Sequence, residues 1–290
     1  MESESASRER RAYWAAQMDE AYAFMQAVSA YPVEECGERV VSLPEAVAAA
    51  GEEVEFSTRP HVLGLPRLYL LREGLVPAFL RATRALNERG WVLRVEDAYR
   101  TVTMQKHQAR QPYALDAVLD KVLWENEGQT PTVELLSRRL AALIAASPAV
   151  GTHLSGSAVD VSVLHRDTRA EVDRGAPYLE MSERTPMASP FVSPEAQRNR
   201  EMITQLMRGH GFVTYPWEFW HYNAGDAYAH YLERTGQPAR YGPVEVDPRT
   251  GAVTPIERPH EPLNSPAELA LLLEQALSRR QEARPAVDAR

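Results

Sequence analysis

Two short segments of this 290-residue chain carry side chains able to bind a metal and move protons. The first is Thr152-His153-Leu154-Ser155-Gly156-Ser157-Ala158-Val159-Asp160, with an imidazole before a glycine turn and a carboxylate just beyond it. The carboxylate falls on an alternating, strand-like pattern. Val159, Val161 and Val163 share one face of such a strand, and Ala158, Asp160 and Ser162 share the other. Asp160 is thus free to face a site, or simply to cap a neighbouring backbone. The second segment is Pro216-Trp217-Glu218-Phe219-Trp220-His221-Tyr222, with a carboxylate and an imidazole three residues apart among aromatics. In a straight strand those two point to opposite faces, so a bend, bulge or helical turn must bring them together. The alternative is a structural Glu–His pair stapling a sheet edge, because a charge in an aromatic run needs a partner.

Taken together, the segments offer two neutral imidazoles, one ligating carboxylate and one spare carboxylate. His153, Asp160 and His221 would make a three-ligand zinc site with an open fourth position, the arrangement of a catalytic rather than a structural ion. The charge of such a centre stays near about +1, which preserves Lewis acidity and makes water more acidic. Glu218 then remains free to take a proton from water and hand it to a leaving amine. The remaining six of the eight histidines, His61, His107, His165, His210, His230 and His260, read as ordinary surface or core residues.

Several elements must position these groups. Trp14, Met18, Tyr22, Met25 and Val28 recur at helical spacing between Arg10 and about Ala30. Residues 1 to about 8 before them are polar and expected to be loose. A short helix is expected over Pro44–Ala50, closed by Gly51, and a longer one over Leu75–Gly90. Trp91–Asp97 reads as a strand, residues 101–148 as helical, and Ala158–Val163 as a second strand. Residues 165–195 form a long loop in this reading, followed by a helix over Pro194–Gly209 and another near Ala267–Ser278. Strands and helices mix without regular βαβ alternation, so the expected class is α+β.

Composition narrows the function. Acidic residues number 40 against 32 basic ones, giving a net charge of -8, so a broad nucleic-acid surface is not expected. No run reaches the roughly 20 apolar residues that span a bilayer. The N-terminus has charges where a secretion signal needs an apolar core, so a cytoplasmic location is expected. The single cysteine, Cys36, excludes an internal disulfide and any Cys-rich zinc finger.

At these residues the chain resembles the D-alanyl-D-alanine dipeptidases of the vancomycin-resistance type. Those are zinc DD-peptidases that share a fold with the Hedgehog signalling domain. The pattern Ser-x-His-x-x-Gly-x-Ala-x-Asp is met at His153, Gly156, Ala158 and Asp160, with Gly151 where the serine stands. The pattern Glu-x-x-His is met by Glu218 and His221, and a Gly-Tyr-Arg context by Ala98-Tyr99-Arg100. Asn199-Arg200, Met207 and Gly211-Phe212 are also similar to the family. The resemblance spans about residues 60–223. It implies a small antiparallel central sheet flanked by helices, one zinc per chain on His153, Asp160 and His221, and Glu218 as base and acid. It also implies that Arg100 stabilises the oxyanion, where otherwise an ion pair with Asp97 or Glu96 would account for it. Glu180, in Pro177-Tyr178-Leu179-Glu180-Met181, is the closest match to the acidic residue that receives the substrate's amino group in the dipeptidases.

The expected organisation is an N-terminal helical extension (1–59), a peptidase core (60–224) and a C-terminal extension (225–290). The leading expectation is zinc-dependent hydrolysis of D-Ala-D-Ala or a similar small D-amino-acid dipeptide, with neither nucleic acid nor membrane as partner. The competing ones are a peptidoglycan DD-carboxypeptidase or endopeptidase and a non-catalytic, zinc-stabilised recognition domain.

Overall fold

The computed structural model describes residues 4–283. Helix α1 (Glu4–Ser29) buries Trp14, Met18, Ala21, Phe24, Met25 and Val28, the expected stripe with Ala21 and Phe24 in place of Tyr22. It starts at Glu4, so residues 4–8 are helical rather than loose as expected; the first three lie outside the described residues. Strand β1 (Val40–Ser42) leads into α2 (Leu43–Ala50). Ser42 caps that helix through Glu45 N–H, and Gly51 closes it in the left-handed conformation. Next come β2 (Val54–Phe56), β3 (Leu70–Arg72), α3 (Val76–Asn87) and β4 (Trp91–Asp97).

The helical stretch expected over 101–148 divides into α4 (Val102–Gln108), α5 (Pro112–Glu125) and α6 (Val133–Leu143). Thr101 caps the start of α4, and the two breaks fall where Pro112 opens α5 and where Thr132 caps α6. Strand β5 (Ala158–His165) follows, then α7 (Pro194–Gly209), β6 (Val213–Thr214) and β7 (His221–Asn223). The tail holds more than the one helix expected: α8 (Ala227–Glu233), strands β8 (Val244–Val246) and β9 (Val253–Pro255), and α9 (Pro266–Ala283). No described helix is long and apolar enough to cross a membrane.

The central sheet runs β2-β4-β5-β7-β6. It is antiparallel as expected, except that β2 joins β4 in parallel. The valine face of β5 packs with Phe79 and Leu86 of α3 and Ile203 and Met207 of α7. A second core gathers α1, α5, α6, α8 and α9. The loop over 166–193 is held from inside by two buried arginines: Arg200 donates to the carbonyls of Arg174, Arg184 and Pro186, and Arg174 to that of Val161.

Both flanking regions are tied to the sheet. Strand β2, from the first 59 residues, lies in it directly. Arg72, fully buried at the end of β3, donates to the Ser155 carbonyl, to both Glu35 oxygens, and to the carbonyls of Glu38 and Gly242. One guanidinium thus joins the N-terminal segment, the turn after His153 and the tail. We expect Arg72→Ala to destabilise the protein by about 3–5 kcal/mol, because it removes the charged partner of the nearly buried Glu35 carboxylate, which keeps the Gly37 and Gly242 N–H donors. Urea unfolding followed by circular dichroism checks this, and a loss below about 1 kcal/mol would mean that Glu35 finds solvent instead.

Candidate active site

The ladder itself brings the two sequence segments together. In the β5–β7 register Asp160 stands opposite His221, and in the β4–β5 register it stands opposite Asp97. The latter pairing follows an irregularity between Val95 and Asp97, where β4 spends one residue more than β5. Strict alternation would put Asp97 on the same face as Val95; the extra residue turns it to the face of Asp160. Gly156, at φ 67°, makes the turn that leads from His153 into β5, and a Cβ there would meet Val40 at 2.9 Å. The bend required between Glu218 and His221 is present as a turn, with His221 N–H donating to the Glu218 carbonyl at 3.2 Å.

His153, Asp160 and His221 are all buried, and one potential ligand atom from each lies within 4.8 Å of the others. The donor set is ordered in the manner of a metal site. His153 uses Nδ1 to donate to the Ala98 carbonyl at 2.5 Å, which leaves Nε2 3.2 Å from Asp160 Oδ1. His221 has Nε2 3.0 Å from Thr152 Oγ1, which leaves Nδ1 2.9 Å from the same carboxylate oxygen. Each imidazole thus has one nitrogen fixed from outside and the other turned inward, as ligating histidines do. Burial lowers the pKa of His221 against the pull of Asp160, favouring the neutral form that can ligate.

Asp160 is held by its other oxygen too, with Arg100 at 3.2 Å and the Tyr178 hydroxyl at 3.1 Å. Burial works to raise its pKa, yet the two imidazoles keep it well below the usual carboxylate range. Tyr178 is pushed well above its ordinary value by burial and by the Asp160 charge, so it remains a donor. Arg100 spans the site, with Nε 2.7 Å from Asp97 Oδ2 and one terminal nitrogen 3.2 Å from Gln105 Oε1. Its ion pair with Asp97 and its place beside the candidate ligands therefore coexist. Asp97 also meets His61 and Arg67, each at 3.2 Å.

Thr152, His153, Asp160, His221, Arg100 and Gln105 line a cavity of about 50 Å³ between the sheet and the helical core. Glu218 lines it as well. Burial raises its pKa well above the ordinary value, the Asp160 charge adds to this, and Arg100 and a hydrogen bond from Trp220 oppose it. Glu180 is not among the lining residues: its carboxylate takes hydrogen bonds from Ser182 and Arg184, each at 2.6 Å. Its neighbours Leu179 and Met181 line the cavity instead. Leu179 has φ 66°, a left-handed conformation that costs a non-glycine residue on the order of 1–3 kcal/mol and persists only where the surroundings enforce it. Sequence reasoning missed Thr152 and Tyr178. The place of Thr152 beside His153 was a usable signal, whereas Tyr178 sits in a loop without periodicity.

An α+β fold with this ordered donor set and a buried carboxylate beside it has the architecture of a metallopeptidase. Residues 39–238 match the D-ala-D-ala dipeptidase family of peptidases, M15, and the chain belongs to that family. Among its relatives, the D-alanyl-D-alanine dipeptidase of Synechocystis sp. is 26% identical over 224 residues, covering 68% of this chain and 86% of that protein. The D-alanyl-D-alanine dipeptidase of Escherichia coli is 40% identical over 76 residues, 26% of this chain and 38% of that protein. Among solved structures, the vancomycin-resistance D,D-pentapeptidase VanY in complex with Zn(II) aligns over 66% of this chain and 89% of its own, at 17% identity and a TM-score of 0.34.

Thr152 supplies a direct check on this site. Thr152→Ala should weaken divalent-metal affinity by about 10–100-fold, the range for losing a partner of a ligating histidine. A chelator competition titration measures it; unchanged affinity would show that the Thr152 hydroxyl does not orient His221.

Proposed function

We propose that this protein hydrolyses D-Ala-D-Ala or a similar small D-amino-acid dipeptide unit, using one zinc ion held by His153, Asp160 and His221. The observation that carries the reading is the convergence of His153 Nε2 and His221 Nδ1 on one Asp160 oxygen, with Glu218 lining the same cavity. Two imidazoles and a carboxylate suit zinc and leave a coordination position open. Zinc bound there supplies Lewis acidity and makes water a stronger acid near neutral pH. Family membership and the Synechocystis relative support the substrate class.

The chain's own groups divide the remaining work. Glu218 takes a proton from the attacking water and delivers it to the departing amine, and its burial raises its proton affinity. Arg100, fixed by Asp97 and Gln105, presents a positive charge to the oxygen on which negative charge develops. Such a preorganised donor stabilises the transition state more than the neutral amide. Tyr178 and Arg100 hold the second Asp160 oxygen, leaving the first to face the imidazoles. A recognition domain would have no use for a buried base and a fixed cation in one cavity, which favours catalysis over binding alone.

Two variants test the roles. Glu218→Gln should fold and retain zinc while hydrolysis of D-Ala-D-Ala and its N-acetyl derivative falls by about 10²–10⁴-fold. Normal turnover at saturating zinc would sink the proton-transfer role. Arg100→Ala, assayed at saturating zinc, should lose about 10²–10³-fold in rate, as expected for removing one oxyanion donor. Elemental analysis of His153→Ala and Asp160→Ala tests the metal site itself: zinc content equal to that of the unmutated protein would remove it.

A further inference from the structure

Among the described residues three histidines are buried, His61, His153 and His221, and the metal centre proposed above has no use for the first. His61 Nε2 lies 3.2 Å from Asp97 Oδ2, and its Nδ1 is buried without a hydrogen-bond partner among the described residues. A carboxylate only accepts, so the imidazole proton sits on Nε2 and is donated to Asp97. A position filled for packing alone favours leucine or phenylalanine, because an unpaired buried nitrogen costs stability. The contact with Asp97 is what an imidazole adds there. The turn that carries it is closed on itself: His61 N–H donates to the Leu65 carbonyl at 2.8 Å, and Gly64 N–H to the His61 carbonyl at 3.2 Å. Leu63, at its tip, has φ 60° and is 58% exposed, so the turn bears backbone strain without burying that side chain.

Arg67 approaches the same carboxylate from the far end of this segment. Its Nε donates to the Arg59 carbonyl at 2.9 Å, and Nη1 lies 3.2 Å from Asp97 Oδ1. Leu68 bridges to Tyr99, which docks the segment against the chain just before Arg100. Asp97 is thus enclosed by donors: Arg100 Nε at 2.7 Å and His61 on Oδ2, Arg67 and the Ala98 N–H on Oδ1. Burial works to raise its pKa, yet Arg100 and the His61 hydrogen bond hold it well below the usual carboxylate range, so it stays an anion. Arg100 meanwhile stands between two carboxylates, Asp97 and Asp160. A guanidinium that had to balance both alone would have little positive charge left for a third anion. Arg67 brings a second cation to Asp97 and His61 a further donor, and neither lines the cavity.

We propose that His61 and Arg67 are positioning residues for Arg100, acting through Asp97: they share the Asp97 charge, hold that carboxylate at the Nε edge of the guanidinium and leave the cation available to the developing oxyanion. This rests on the peptidase reading above and extends it to residues outside the cavity. The experiment uses the zinc-loaded protein with two probes, D-Ala-D-Ala for turnover and its phosphinate analogue, a tetrahedral anion, for affinity by calorimetry. His61→Leu should lower kcat and phosphinate affinity by about 10-fold each, a fraction of the about 10²–10³-fold for removing the oxyanion donor itself. KM and zinc content should stay unchanged. His61→Gln, which restores an N–H donor near the Nε2 position, should recover most of that loss. Arg67→Met, nearer the surface, should act in the same direction and repeats the test should His61→Leu fold poorly. In an Arg100→Ala background, His61→Leu should cost nothing further, because residues that act through one group are not additive. The same 10-fold loss in that background, or unchanged kcat and phosphinate affinity in His61→Leu or in Arg67→Met, overturns the inference and leaves the peptidase reading intact. Unmutated protein that binds the phosphinate but cleaves no dipeptide overturns hydrolysis, and the phosphinate affinities of the variants then decide the inference alone. Failure to bind the phosphinate or cleave the dipeptide overturns both.

Discussion

Asp160 is a carboxylate taken almost entirely out of water at the middle of a sheet, and much of the surrounding architecture answers to that placement. An ion so buried costs several kcal/mol unless donors replace its hydration. Here four groups do so, and they come from four places: the turn before β5, strand β7, the segment after β4 and the loop after β5. None of the four could be supplied by a neighbour in sequence. The demand of one anion therefore fixes how distant segments meet, and the meeting point is where chemistry becomes available.

The two cores serve this arrangement differently. Behind the sheet, the valine face of β5 packs against α3 and α7. In front, the helical core supplies Tyr215, Tyr228, Ile144 and Val150, which close the cavity from the other side. The flanking segments brace the ligand-bearing turn rather than merely covering it. Asp226, the cap of α8, accepts from Ser157 at 2.5 Å, and Arg72 reaches the carbonyl of Ser155 from the opposite side. Burial raises the Asp226 carboxyl pKa, and the hydrogen bonds it accepts from Ser157, Ala229 and Asn223 oppose that shift.

Where the sequence was legible, a strong local signal agreed with the tertiary outcome. Strand β4 and helix α7 have the expected bounds, and the structure shows why for α7: Ser193 caps it ahead of Pro194. The metal-binding candidates were legible because ligand chemistry restricts residue types more sharply than packing does. Helix α8 and the β8–β9 hairpin were missed, since they are short and owe their form to packing on the core rather than to their own pattern. Glu180 shows a different failure. A loop without periodicity gives no face, so the neighbour Leu179 rather than Glu180 reaches the cavity through a backbone angle that composition does not disclose.

The pairing of Asp160 with His221 across two adjacent strands has a thermodynamic consequence. A slip of one residue between β5 and β7 would send one of these side chains to the opposite face. Any ion gripped by both therefore binds only the native register, and its binding free energy becomes folding free energy. At a free concentration a thousand times its dissociation constant, the ion adds about 4 kcal/mol to the native state, a large share of the stability of an ordinary domain. A bound ion would thus act as a clasp on strand alignment, giving the short, three-residue β7 a certainty of position that its own length does not provide.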